Sequence, residues 1–116
     1  MATSGFVKFF DVLTNPDGPV SYKAPAASET LTLGPDENVI RVTLPASGAG
    51  ILKLPPKVEA AGRMFSFTVV SDGGGEVQIV DDGGSDVISD NLGAATDYAL
   101  IYCDGFKYFL IVETTT

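Results

Sequence analysis

The chain contains no histidine, no tryptophan and a single cysteine, Cys103. Without histidine there is no Ser-His or Cys-His nucleophile pair, and the commonest general base and transition-metal ligand are missing. Without tryptophan the largest aromatic surface on which a sugar ring could stack is absent. One cysteine cannot close a disulfide within the chain, and its setting beside Tyr98, Leu100, Ile101 and Tyr102 marks it as a small buried apolar side chain. Basic residues are scarce as well: 7 Lys and Arg stand against 15 Asp and Glu, for a net charge of −8. A field of that sign repels phosphate backbones, so nucleic acid is not an expected partner. No apolar run approaches the roughly 20 residues of a membrane-spanning helix. The N-terminus also lacks the basic start and apolar stretch of a secretory signal, so neither a membrane nor that export route is expected.

What remains is a chain of 116 residues, 45% hydrophobic, a size that fits one domain around one core. Residues 1–28 read as an N-terminal arm or edge hairpin. They hold the apolar cluster Phe6-Val7-Lys8-Phe9-Phe10-Asp11-Val12-Leu13, the turn-forming Asn15-Pro16-Asp17-Gly18 and a small-residue run, Ala24-Pro25-Ala26-Ala27-Ser28. From residue 29 to 116 short alternating segments are punctuated by Gly, Pro and Asp, the pattern of an all-β domain. Strands are expected over Thr30–Leu33, Val39–Leu44, Ile51–Leu54, Arg63–Val70, Glu76–Val80, Tyr98–Cys103 and Phe106–Val112. Ile40, Val42 and Leu44 share one face, as do Phe65, Phe67 and Val69, and these faces form the expected core. Lys57–Gly62 after Pro55-Pro56 predicts one short helical turn. Asp72-Gly73-Gly74-Gly75 predicts a hairpin loop, and Asp104-Gly105 a type I′ hairpin turn. The fold expected is an antiparallel β-sandwich or jelly-roll-like small domain with an N-terminal arm. No solenoid-type repeat is visible.

Two features invite a chemical reading. Asp81, Asp82, Asp86 and Asp90 gather four carboxylates within ten residues, and hard cations need several oxygen ligands. The spacing is not that of an EF-hand loop, however, and Asp and Gly are ordinary turn residues; no metal is assigned. The second feature is apolar surface. Tyr98, Leu100 and Tyr102 occupy one face of their strand while Ala99, Ile101 and Cys103 occupy the other, so both faces need cover, from loops, from the arm or from a neighbouring subunit. Phe6, Phe9 and Phe10 pose the same demand at the N-terminus. No catalytic or cofactor-binding residue is assigned, and a non-enzymatic protein is expected.

The run Leu52-Lys53-Leu54-Pro55-Pro56, then Glu59-Ala60-Ala61-Gly62-Arg63 and Phe65-Ser66-Phe67, resembles a strand, Leu-Pro-Pro, short turn, Gly-Arg, strand pattern of small β modules in tailed-bacteriophage virions. Tyr102-Cys103-Asp104-Gly105-Phe106-Lys107-Tyr108 is similar to the closing hairpin of those modules. The likeness spans roughly residues 39–113 and leaves residues 1–28 uncovered. It implies a virion structural protein: a capsid decoration (cement) protein on the outer surface of the head, commonly a homotrimer, whose partner is the major capsid protein. Its interface residues would be Phe6, Phe9 and Phe10, with Leu54 and Pro55 as further candidates. The alternative is a receptor- or carbohydrate-binding fibre module presenting the acidic loops around Asp72–Gly75 and Asp81–Asp86.

Overall fold

The computed structural model describes residues 20–115; the candidate anchors Phe6, Phe9 and Phe10 lie outside that range. Nine strands run through the described residues: β1 (Val20–Lys23), β2 (Thr30–Thr32), β3 (Val39–Thr43), β4 (Ala49–Lys53), β5 (Met64–Ser71), β6 (Glu76–Val80), β7 (Val87–Leu92), β8 (Tyr98–Cys103) and β9 (Tyr108–Thr114). The expected strands are all present, each within a residue or two of its predicted limits. Two more appear: β1, inside the segment read as an arm, and β7.

The pairing differs from the antiparallel arrangement expected. A five-stranded sheet has the order β1-β3-β5-β8-β9 and a four-stranded sheet the order β2-β4-β6-β7. Up to β6 each strand belongs to the opposite sheet from the one before it, so the chain winds between the sheets and pairs with itself one winding later. Those pairings are parallel: Val20 lies beside Val39, and Val39 beside Ser66, in one sheet. In the other, Thr30 lies beside Ile51 and Ala49 beside Glu76. Only the last strands fold back antiparallel, β6 with β7, β5 with β8 and β8 with β9. Both sheets are therefore mixed.

Alternation had placed the core correctly. Ile40, Val42, Phe65, Phe67, Val69, Ala99, Ile101 and Cys103 from the larger sheet meet Leu52, Val77, Ile79 and Leu92 from the smaller in one buried cluster. Each Val, Leu, Ile or Phe side chain among them contributes about 1.5–3 kcal/mol on removal from water. The opposite face of β8 is partly covered too: Leu100 is 1% exposed and its row-mates Ser66 and Val39 are 7% and 6% exposed, while Tyr98 is 39% exposed. All nine strands are taken up by the two sheets, so no described strand lies over that face.

Three local expectations are corrected. Lys57–Gly62 is a run of hydrogen-bonded turns, and no helix occurs among the described residues. Ala60 N–H reaches the Pro56 carbonyl at 3.1 Å, but Gly62 takes a left-handed φ of 79° and donates to the Cys103 carbonyl at 2.7 Å, drawing the chain into the sheet after a single turn. Asp104-Gly105 does not form a type I′ turn, which needs positive φ at both central residues. Only Gly105 has it. Instead the Asp104 carboxylate accepts the Phe106 and Lys107 N–H groups, both at 2.8 Å, holding a four-residue loop between Cys103 and Tyr108. These donors, Phe106 first, keep the Asp104 carboxyl below its ordinary range. Finally, Gly73-Gly74-Gly75 does not turn a hairpin but carries the chain from β5 in one sheet to β6 in the other.

That glycine run is explained by its neighbour one winding earlier. Gly75 N–H donates to the Pro45 carbonyl at 2.8 Å and Glu76 N–H to the Gly48 carbonyl at 2.9 Å, so backbone rests on backbone. A Cβ on Gly73 would stand 2.4 Å from the Leu44 carbonyl oxygen. Overpacking against a main-chain atom costs about 1–3 kcal/mol. Gly73→Ala should therefore lower the melting temperature by roughly 4–12 °C in a domain of this size, whereas alanine at the open position Gly62 meets no atom within 4 Å and costs only its backbone strain. Differential scanning calorimetry of the two variants checks the order.

Candidate functional site

Parallel winding divides the loops between two ends. One end collects residues 24–28, 44–48, 72–75 and 93–97; the other collects 33–38, 54–63, 81–86 and 104–107. The second end gathers both sequence patterns that carry the virion resemblance, although they lie about fifty residues apart.

The join is built from backbone and side chain together. Gly62 and Arg63 bracket Cys103: Gly62 N–H donates to its carbonyl, and Cys103 N–H donates to the Arg63 carbonyl at 3.0 Å. The Cys103 thiol lies 3.5 Å from the Lys57 carbonyl, and Gly105 N–H points at its sulfur at 3.4 Å. The Tyr108 hydroxyl donates to the Pro55 carbonyl in a buried contact. Its ring stands edge-on to Phe65, with centroids 6.2 Å apart. Burial pushes the Tyr108 phenol above its ordinary range. Lys57 closes the outside of this end. Its ammonium pairs with the Asp82 carboxylate, lies 3.8 Å from Asp81 and sits 5.9 Å from the centre of the Tyr108 ring. The Asp82 hydrogen bond raises the Lys57 ammonium above the usual lysine value, and the Lys57 hydrogen bond holds the Asp82 carboxyl below the usual aspartate value.

The acidic loop is occupied by its own backbone. Asp81 Oδ1 accepts the Ser85 and Asp86 N–H groups at 3.2 and 3.3 Å, Asp81 N–H donates to the Asp86 carbonyl at 2.9 Å, and Asp82 faces Lys57. Asp90 lies away on β7, accepting from Gln78 at 2.9 Å. Among the described residues no group of three or more Asp, Glu or Cys side chains is placed to hold a metal ion. At the opposite end Asp72 accepts the Gly74 N–H at 2.9 Å. The two acidic loops that a fibre module would present outward thus sit at opposite ends of the molecule.

Of the interface residues expected from the sequence, Leu54 is fully buried in the core cluster, and Pro55 is buried with its carbonyl bound to Tyr108. Neither offers surface to a partner in this chain; the alternation that made Leu54 a strand residue also turned it inward. Sequence reasoning missed Lys57 and Asp82, whose pairing spans 25 positions. The available signal was a cation directly after Pro55-Pro56 and an unusual density of acids at residues 81–86.

No family model, no curated protein and no solved structure matches the chain.

Tyr108→Phe leaves the buried Pro55 carbonyl without its donor and should cost about 1–2 kcal/mol, visible as a fall in melting temperature of several degrees. Because the folded phenol is raised above its unfolded value, Tyr108 stabilises the fold at neutral pH and that contribution fades as pH rises past the ordinary tyrosine range. Phenolate absorbance should show a late step coincident with alkaline unfolding, absent from Tyr108→Phe. The Lys57–Asp82 pair has its own window. Asp82 is depressed, so its contribution is present above the ordinary aspartate value near 3.8 and is lost as pH falls through the lower folded value. Both side chains are about a quarter exposed, 29% and 25%, which limits the pair to about 1 kcal/mol or less. Lys57→Met should lower the melting temperature by a few degrees at pH 7, with the difference from the parent fading as pH falls below the ordinary aspartate range; an equal difference at neutral and strongly acidic pH would rule out the ion pair as the cause.

Proposed function

We propose that this chain is a virion structural protein, a decoration protein that binds the outside of a tailed-phage head and reinforces the shell through the major capsid protein. The observation that carries the reading is the meeting of Leu54-Pro55-Pro56 and Gly62-Arg63 with the Cys103–Tyr108 loop at one end of a sandwich-like pair of sheets. The two patterns that resemble the phage modules form one packed unit, as a shared fold would require. The polar side chains at this end serve the fold: Asp81 and Asp104 hold their own loops, and Tyr108 holds the Leu-Pro-Pro turn. The proposed work is mechanical. A protein that binds only the assembled shell stabilises it by about 2.7 kcal/mol per site at a hundredfold excess over Kd.

In this reading Phe6, Phe9 and Phe10 are the capsid anchors, and the described part of the chain is the rigid body that carries them. Leu54 and Pro55 are withdrawn from that role because they are buried. β1 begins at Val20 and pairs with β3, so the test removes residues 1–19 and keeps β1. Full-length protein should co-sediment with undecorated heads assembled from the cognate capsid protein and raise their disruption temperature, and the truncated protein should do neither while keeping its far-UV spectrum. Unchanged binding by the truncated protein rejects the anchors. No binding by the full-length chain rejects the decoration role and leaves a fibre module as the reading to pursue.

A further inference from the structure

The five-stranded sheet has a second face, turned away from the core. Strand register sets Val20, Val39, Ser66, Leu100 and Val112 in one row across it, from β1 to β9. The row is hidden at its centre: Leu100 is 1% and Val39 6% exposed, against 40% for Val112 at the edge. A leucine whose neighbours in the row are a serine and a half-open valine is not shaded by its own sheet, and a strand apolar on both faces is covered on both. The nine described strands all lie within the sheets, and their connections gather at the two ends. Nor is the cover a second molecule, because the burial is that of one chain alone.

We infer that residues 6–13 of the same chain are the cover, lying across Val39, Ser66 and Leu100 as a third layer. The described chain begins at Val20, the first member of that row, so the residues before it enter at the edge of this face. Asn15-Pro16-Asp17-Gly18 places turn chemistry just ahead of Val20, where the chain would fold back over the sheet. Reach is sufficient. β8 lies three strand spacings from β1, about 14 Å, and an extended run of this length spans about 26 Å. Phe6, Val7, Phe9, Phe10, Val12 and Leu13 are apolar, while Lys8 and Asp11 cancel in charge, so the run brings no net charge to an apolar face. A short tether through residues 14–19 holds it there at an effective concentration on the order of millimolar, which a free partner has to exceed. The inference goes beyond the capsid reading: it gives the phenylalanines a resting place on their own sheet, from which a head would take them.

The test uses the free protein without heads, so its failure leaves the capsid reading to its own experiment. The chain has no tryptophan, and Phe9→Trp therefore adds a single reporter. In the full-length chain its emission should be blue-shifted and resist quenching by acrylamide. Adding Ser66→Lys, which raises a long charged side chain in the middle of the row, should shift the emission to that of a solvated indole with an unchanged far-UV spectrum. A solvated indole before that change overturns the inference, and so does a shielded one that Ser66→Lys leaves unmoved. Should Ser66→Lys fail to fold, removal of residues 1–19 decides: the truncated chain should take up Nile red and melt several degrees lower. A truncated chain that gains no dye and melts with the parent rejects the cover. Light scattering on the same samples should give the monomer mass; a higher mass that truncation returns to the monomer assigns the cover to a neighbour's segment and overturns the assignment made here.

Discussion

The structure depends on one constraint: from β1 to β6 the chain changes sheet after every strand, so no strand can take its hydrogen bonds from its immediate successor. Each ladder must be filled by the strand two places on, which arrives in the same direction, and the pairing is therefore parallel. The connecting turns must then stack as the strands do. That is why Gly73-Gly74-Gly75 lies on Pro45–Gly48, and why Ser28 N–H in turn reaches the Ala49 carbonyl at 2.8 Å. Pro25 packs so close to Gly50 that a Cβ there would stand 2.7 Å from its ring. Small residues at this end are a consequence of winding.

A winding chain needs a stop, since its last parallel strand would otherwise offer open edges. β7 and the β8–β9 hairpin supply it by reversing direction, and they are fastened to the wound part at several points. β8 pairs with β5 over Met64–Thr68, the Tyr108 hydroxyl reaches back to Pro55, and Ser89 on β7 donates to Glu113 on β9. The last of these joins the two sheets along the side where the reversal occurs. The arrangement leaves β7 and β9 as the longest edges of the two sheets.

How far the sequence disclosed this follows from what alternation encodes. Period-two patterning reports which face of a strand is buried, and it identified Ile40, Val42, Leu44, Phe65, Phe67 and Val69 as core without knowledge of topology. It carries no information on the direction of the partner. A short Gly- or Pro-rich connection suits an arch between sheets as well as a hairpin within one, so the mixed sheets were not legible. β7 escaped notice because Asp90, Asn91 and two register irregularities interrupt its alternation, and β1 because Tyr22 is 76% exposed, so its burial pattern is weak. At the loop end, Cys103 was legible as a buried apolar residue from its neighbours. The Lys57–Asp82 pair was not, since it depends on two windings being brought to the same end.

The buried polar groups show what the loops are for. Asp97, 3% exposed, accepts the Gly93 and Ala94 N–H groups at 3.0 Å each, and its own carbonyl accepts from Val69 at 2.9 Å. Asp81, 7% exposed, does the same for Ser85 and Asp86. Among the described residues no buried side-chain nitrogen or oxygen lacks a hydrogen-bond partner. Carboxylates committed to backbone N–H groups fix loop shape, because moving the loop strands a buried charge and costs several kcal/mol. Both ends of the molecule are thus stiffened by carboxylates bound to their own loops, while exposed apolar side chains remain along β9 and at Tyr22, Val58 and Phe106. A body stiff at its ends is suited to being held in place by neighbours, which is the mechanical demand that the proposed role on a capsid makes.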